Sequence, residues 1–347
     1  MRDSIKNVLT IGDGIAAWCL HEELIKNSSL KITNISSSNL FKPCSLNSTS
    51  LNCLRGTTRG VSKLGDQIID SYDLFEDFYK KDKPDGVYKG HEYQLWKDDK
   101  NGKWKRRYPT SFNSIENDFL RELTSSKYNY VKNEAYFINP NLLKVWYRKR
   151  HDSIRFISGF VNEIIKDKSV YRVSSDKVIN DKFDAVILCT NHATHLLGRG
   201  YSDSFDYYLQ HSKAVAGTYL EIPIQSCKYE SNFNIAIGSN HFIYRKDSQL
   251  LQVGSTLDNR VDIDIPNKRD VEVIYNQLRK AINYDFPFFD EFKLKTGIRH
   301  KGFERKPFWG KISEKENIYS ICGLYKNAFS LSYLSAKYLE KEFLNLD

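Results

Sequence analysis

Apolar and polar positions at the start of the chain alternate in the way a βαβ unit requires. Asn7 to Ile11 is an apolar run of strand length, a glycine turn follows, Ile15 to Asn27 carries apolar residues at helical spacing, and Lys31 to Ile35 is a second apolar strand. Ser36 to Ser50 is polar, rich in Ser and Asn, and reads as loop. Helical period returns between Gly65 and Lys80 through Ile68, Ile69, Leu74, Phe75 and Phe78. Alternating aromatics from about 82 to 135 predict hairpins of a second domain. Asn139-Pro140 supplies the cap and first-turn proline of a helix whose apolar face takes in Leu142, Leu143 and Trp146. Strands are expected at Ser153 to Ile157, Val161 to Ile165, Val170 to Ser174 and Ala185 to Cys189. The last is an unbroken apolar run, as in a sheet covered on both faces. Long alternating segments from Leu209 to Thr256 predict a large antiparallel sheet, and a helix from Lys268 to Ile282, a strand from Ile318 to Cys322 and an amphipathic helix from Ala328 to Phe343 complete the chain.

A length of 347 residues suits two domains, and 40% apolar with 27% charged residues excludes a disordered chain. No apolar run reaches the roughly 20 residues that cross a bilayer, and MRDSIKNVLTIG has no signal-peptide core, so a soluble cytoplasmic protein is expected. Cys19, Cys44, Cys53, Cys189, Cys227 and Cys322 form no CxxC pair and read as buried free thiols of a reducing compartment. His192 and His195 form HxxH with no third ligand near in sequence, so no metal is expected. The net charge of +9 attracts anions, and basic clusters stand at 103–107 (KWKRR) and 148–150 (RKR). Each cluster reads either as a solvated face or as a contact to nucleic-acid phosphates.

Gly12-Asp13-Gly14-Ile15-Ala16-Ala17 is a GxGxxG/A fingerprint placed directly after a strand and opening a helix. Gly12 permits the tight turn, Gly14 lets a diphosphate approach the backbone, and Ala17 lets the helix pack on the sheet while its amide end faces the anion. The acidic residue that usually ends the second strand is missing. Ser36, Ser37 and Ser38 stand there, and their hydroxyls suit a ribose, would tolerate a phosphate, or form a plain loop.

From these residues onward the chain resembles the superfamily of FAD-dependent D-amino-acid, glycine and sarcosine oxidases. VLTIGDGIAA is similar to the FAD fingerprint of that family, FINPNLLKVW (137–146) to its return segment, and SGFVNEI (158–164) to a strand whose Val161 backbone meets the adenine. FDAVILCTNHATHLL looks like its apolar-Ala-Gly strand and turn, with Thr190 and Asn191 at the turn and Asn191 where a glycine is usual. LLQVGST is similar to its VGAT strand, TGIRHKGFERKPFWG to its GLRP segment, and CGLYKNAFSLSYLSAKYL to its C-terminal flavin loop and helix. Tyr325 and Ala328 replace two glycines of that loop, and Arg305 and Lys306 occupy a region where Asp is common. The resemblance implies an α/β fold in which a Rossmann-like FAD domain (1–80, 140–205 and 296–347) carries an α+β substrate domain with an antiparallel sheet (81–139 and 206–295). No cysteine stands where covalently flavinylated relatives attach FAD, so noncovalent FAD is implied.

The same resemblance assigns the site. FAD is expected against Gly12, Gly14, Ile15, Ala16, Ala17, Ser36, Ser37, Asn52, Arg55, Val161, Thr190, Asn191, Gly323, Tyr325, Lys326, Asn327 and Ala328. Asn52 and Arg55 read equally as loop structure. Arg299 lines up with the arginine that binds a substrate carboxylate, and Tyr244 lies on a strand that commonly gives a tyrosine to the same group, although Phe242 or Arg245 fits that place in another register. Lys326 is positioned either to place charge by the flavin or to point to solvent. The implied reaction is oxidation of a C–N bond in a small-molecule amine or amino acid, with hydride transfer to flavin N5. Alternatives are an oxidase of carboxymethylaminomethyl-uridine in tRNA, a binding module that has lost catalysis, and a halogenase or monooxygenase suggested by Trp18 in GxGxAxW, whose WxWxIP partner is absent.

Overall fold

The computed structural model describes residues 5–37, 43–55, 57–96, 112–113, 118–124, 128–224, 228–259, 266, 268–286, 289 and 292–344. In chain order the first elements are β1 (Asn7–Ile11), α1 (Ile15–Leu24), β2 (Lys31–Ser36), β3 (Leu51–Cys53), α2 (Lys63–Asp82), β4 (Val87–Trp96), β5 (Phe112–Asn113) and α3 (Asp118–Leu123). They are followed by β6 (Asn129–Ile138), α4 (Pro140–Arg150), β7 (Arg155–Ser158), β8 (Val161–Asp167), β9 (Val170–Ser175), β10 (Ala185–Leu188), α5 (Thr194–Leu197) and α6 (Asp203–His211). The last are β11 (Lys213–Pro223), β12 (Asn232–Ile237), β13 (Asn240–Arg245), β14 (Leu250–Gly254), α7 (Lys268–Ala281), β15 (Lys293–Lys301), β16 (Phe308–Lys311), β17 (Ile318–Cys322) and α8 (Ala328–Leu344).

Two sheets organise the α/β molecule. The first runs β16-β17-β10-β1-β2-β7 and is parallel except for its edge strand β16. All four residues of β10 are buried, as their unbroken apolar run requires of a strand covered on both faces. On one face, α1 and α8 bury Trp18, Leu20, Leu331, Leu339 and Phe343 against Val8 and Ile187. On the other, α6 and the β8-β9 ribbon bury Phe205, Leu209 and Val173 against Leu9, Val186 and Leu188. Each such large side chain contributes about 1.5–3 kcal/mol on leaving water.

The second sheet runs β15-β11-β14-β13-β12-β4-β6-β3, with β5 pairing β6, and its strands are antiparallel apart from the parallel β4-β12 contact. Helix α7 covers one face through Val271, Tyr275 and Leu278.

Local signals place α4 well. The Asn139 side chain accepts from Asn141 and Leu142 N–H, and Pro140 opens the helix. Its buried face departs from the expected one, because Leu142 is exposed and Leu143 and Tyr147 carry the packing. The strand expected from Ser153 begins at Arg155, since Ile154 N–H is still held by His151 O in the turn after α4. No helix among the described residues is long and apolar enough to cross a membrane.

Candidate functional site

A cavity of about 1200 Å³ opens between the carboxyl ends of β1, β2, β10 and β17 and the second sheet. This is the edge where open α/β sheets bind ligands. At the first-sheet end, Gly12 adopts φ +118°, and a Cβ there would stand 2.3 Å from Cys189 O. Its N–H donates to Ile35 O at 2.9 Å and its carbonyl accepts from Asn34 Nδ2 at 2.7 Å, so the turn is welded to β2. Gly14, Ile15 and Ala16 line the cavity where α1 begins. No side chain caps the helix in the usual way; Ile15 N–H donates instead to Ser45 Oγ at 3.0 Å. Ala17 is fully buried under the helix and does not line the cavity, in keeping with the packing role its small size allows.

Asp13, between the two glycines, is a buried carboxylate where an anion is to be bound. It accepts from Trp18 Nε1 at 3.0 Å and pairs with Lys144 at 2.6 Å and Arg148 at 3.0 Å. Two partly exposed cations on α4 thus neutralise it. Arg150 pairs with Glu22 and Asp82, so both arginines of the 148–150 cluster are engaged in ion pairs and Lys149 is exposed. The 103–107 cluster, Ser38 and Cys227 lie outside the described residues.

Ser36, Ser37, Val161, Thr190 and Asn191 also line the cavity. Ser37 Oγ is buried with no partner among the described residues, at the expected ribose position. Asn191 takes φ +55°, the left-handed conformation its glycine counterpart would favour. Its side chain adds what glycine lacks: Nδ2 donates to Ile298 O at 2.6 Å and Oδ1 accepts from His300 N–H at 3.0 Å, clamping β15 to the turn after β10.

At the other end stand Arg55, His241, Ser255, Arg299 and Lys326. Arg299 projects from β15 across Gly217 of β11, where a Cβ would fall 2.4 Å from the guanidinium nitrogens. Its Nη2 donates to Ser255 Oγ at 2.8 Å, and its buried Nη1 has no partner among the described residues. Arg55 Nη1 donates to His241 Nε2 and Nη2 to Gly238 O. Because His241 Nε2 accepts, the ring is neutral and Nδ1–H donates to Asn234 Oδ1 at 3.2 Å. Burial, with Arg55, Lys326 and Arg299 adding to it, holds His241 well below the usual imidazole range. Asn234 Nδ2 in turn donates to Glu92 Oε1 at 2.9 Å, and burial pushes that carboxyl up.

Gly323, Tyr325, Lys326, Asn327 and Ala328 line the cavity along the turn from β17 into α8. Gly323 N–H donates to His300 Nδ1 at 3.2 Å. Tyr325 holds the left-handed φ of +52° that a glycine would take, whereas Ala328 is already helical and needs no glycine. Lys326 is open to the cavity rather than packed. The surrounding protein nevertheless strips enough water to lower its ammonium to about 8, with Arg299, Arg55 and Arg305 acting in the same direction.

Four expected residues stand elsewhere. Tyr244 is fully buried on the α7 side of the second sheet, its ring 5.1 Å from Phe233 and its hydroxyl accepting from Tyr229 N–H, and Phe242 shares that core. Alternation along β13 turns His241 toward the cavity instead. Arg245 is sealed in an ion pair with Asp247 at 3.0 Å. Asn52 is buried below the cavity wall, its Oδ1 accepting from Ser330 Oγ at 2.8 Å, and ties β3 to α8. His241, Ser255 and Gly217 were not anticipated; the period-2 alternation of β13 separates His241 from Phe242 and Tyr244 without choosing the cavity side, and the VGST segment carried the signal for the second.

Residues 70–341 match the family model for DAO, the FAD dependent oxidoreductases. The chain belongs to that family. No curated protein matches its sequence significantly. Among solved structures it is similar to glycine oxidase from Bacillus cereus, with a TM-score of 0.78 and 14% identity over 99% of this chain and 96% of that one. Glycine oxidase from Geobacillus kaustophilus gives a TM-score of 0.79 with the same identity and coverage. L-alpha-glycerophosphate oxidase from Mycoplasma pneumoniae, solved with FAD bound, gives 0.80, again at 14% identity over 99% and 96%. These likenesses establish the fold, and the family model establishes an FAD-dependent oxidoreductase. The cavity fits the cofactor: a glycine turn packed too closely on Cys189 to carry a Cβ, and, among the described residues, a Ser37 hydroxyl beside it and an Arg299 nitrogen at the far end that have no partner.

Proposed function

We propose that this DAO-family protein oxidises the C–N bond of a primary or secondary amine that carries an acidic group, with FAD held noncovalently. The observation that carries the reading is Arg299, a cavity guanidinium that among the described residues is bonded only to Ser255 through Nη2 and has Nη1 unpartnered. A planar donor fork of this kind matches a carboxylate with two parallel charge-assisted bonds. Gly217 leaves the space in which the fork lies, and Ser255 sets its rotation. Bound FAD supplies the two-electron acceptor at N5. The chain itself binds and orients the amine. Arg55, Arg299 and Lys326 create a positive field around the substrate end, which favours the neutral form of an amine and thereby frees its lone pair. His241, kept neutral and accepting from Arg55, adds no charge there. Glycine and iminodiacetate oxidases are among the similar solved structures, which supports an amine substrate. The test is the absorbance spectrum of the purified protein followed by anaerobic titration with D-amino acids, glycine, sarcosine and iminodiacetate. Flavin bands bleached by one of these amines are the expected result. Stable flavin bands that no amine bleaches would overturn the reading.

A further inference from the structure

The cavity has more positive charge at its substrate end than one carboxylate can answer. Arg55, Lys293, Lys295, Arg299 and Lys326 line it, and among the described residues the single acidic lining residue, Asp13, is already paired with Lys144 and Arg148 at the opposite end. Lys295 pairs with Glu221 at 2.7 Å. Arg55, Arg299 and Lys326 form no ion pair with a carboxylate among the described residues. Among the described residues Arg55 is linked to Glu92 through His241 and Asn234 and acts on that carboxyl by its charge, without a direct ion pair.

These three cations come from separate elements. Arg299 is on β15, Arg55 follows β3, and Lys326 is on the turn into α8, so folding brings together like charges that repel one another. Such an arrangement costs stability in the empty protein, and an anionic ligand relieves it. One guanidinium fork satisfies one carboxylate. Resting on the amine reading above, we propose that the substrate bears two acidic groups, one held by Arg299 and the other by Lys326 with Arg55. Lys326 is open to the cavity, and the surrounding protein together with Arg299, Arg55 and Arg305 lowers its ammonium to about 8, which fits a cation awaiting an anion.

The flavin-loaded enzyme reports ligands through its visible spectrum without turnover. Titration with acetate, malonate and succinate at neutral pH and fixed ionic strength measures affinity for one and for two carboxylates. A second charge-assisted pair is expected to make the better dicarboxylate bind about 10- to 100-fold more tightly than acetate. Lys326→Met and Arg55→Gln are each expected to weaken that dicarboxylate at least tenfold more than acetate, while Arg299→Met weakens both. Dicarboxylates binding no more tightly than acetate, or variants that weaken both ligands alike, would overturn the proposal. Flavin bleaching by sarcosine and by iminodiacetate separates the two readings. If neither bleaches while the dicarboxylate preference holds, the two-anion site stands and the amine reading falls. Equal kcat/KM for both amines overturns the two-anion site and leaves the amine reading intact.

Discussion

Replacing Arg299 by methionine distinguishes a substrate-binding arginine from a structural one. Among the described residues the side chain makes a single hydrogen bond, to Ser255, and its buried Nη1 has no acceptor. Methionine keeps most of the stem against Gly217, so folding loses one part-buried hydrogen bond and is relieved of one poorly paired charge. The net change is expected within about 1 kcal/mol, or a few degrees in Tm for a chain of this size. With substrate bound the loss is larger. Two charge-assisted bonds, worth about 1.5–3 kcal/mol each and discounted because the cavity is open, amount to about 3–4 kcal/mol. At about 1.36 kcal/mol per decade, that corresponds to a fall of about 10²- to 10³-fold in kcat/KM. Steady-state oxidation of the amine that bleaches the flavin measures the second effect, and thermal unfolding of the apoprotein measures the first. A drop of 10 °C or more in Tm with kcat/KM within threefold of the parent would refute the assignment and make Arg299 a fold residue.

Gly217→Ala acts on the same group from behind. The new methyl would fall 2.4 Å from the guanidinium and must displace it, so kcat/KM is expected to drop at least tenfold while the flavin spectrum without substrate is unchanged. The Lys326 value of about 8 makes anion affinity pH-dependent: the ammonium is charged below that value, so spectrally measured carboxylate affinity falls as pH rises through about 8, and Lys326→Met abolishes that step. The same shift has a stability sign. A lysine depressed below its usual value binds fewer protons folded than unfolded between about 8 and 10.5, so its penalty is complete below 8 and fades as pH rises through that window. The Tm advantage of Lys326→Met over the parent apoprotein should therefore shrink from pH 7.5 to 10. Gly12→Ala places a methyl 2.3 Å from Cys189 O at a φ of +118°, and is expected to cost about 3 kcal/mol or more and to abolish FAD retention on gel filtration. Unchanged FAD retention in that variant would show that the turn does not cradle the cofactor.

The sequence disclosed what depends on local chemistry. A glycine turn at positive φ, an Asn-Pro helix start and the all-apolar β10 are each decided within a few residues, and each stands where the pattern puts it. What depended on register was not legible. Tyr244 and His241 lie three apart on β13 and so face opposite sides of the sheet. Only the packing of α7 against Phe233, Phe242 and Tyr244 decides which side meets the cavity. Asn52 fails for a related reason: its neighbours Leu51 and Cys53 line the cavity, and period two turns the residue between them inward to Ser330. The partners of the 148–150 cluster were likewise invisible, because Asp13 and Glu22 lie more than 120 residues away and meet α4 only when α1 and α4 pack together.

The departures from the family pattern bear on whether the site can still work. Glycine at a flavin turn has two separable uses, a left-handed backbone and the absence of a side chain. Asn191 and Tyr325 keep the first use, at φ +55° and +52°, and give up the second. A non-glycine residue in that region costs about 1–3 kcal/mol, which persists only where surrounding contacts fix the turn. For Asn191 those contacts are its two bonds to β15, so its side chain now does the clamping. At the second turn they are the Gly323 N–H bond to His300 and the start of α8 at Ala328. A module drifting away from its cofactor would have no reason to hold two strained residues in the conformation the lost glycines used. Tyr325→Gly is therefore expected to raise apoprotein stability by about 1 kcal/mol and leave FAD affinity within a few fold, as measured by flavin fluorescence titration. Loss of FAD binding in that variant would mean that the tyrosine ring, rather than the backbone it strains, is what the cofactor meets.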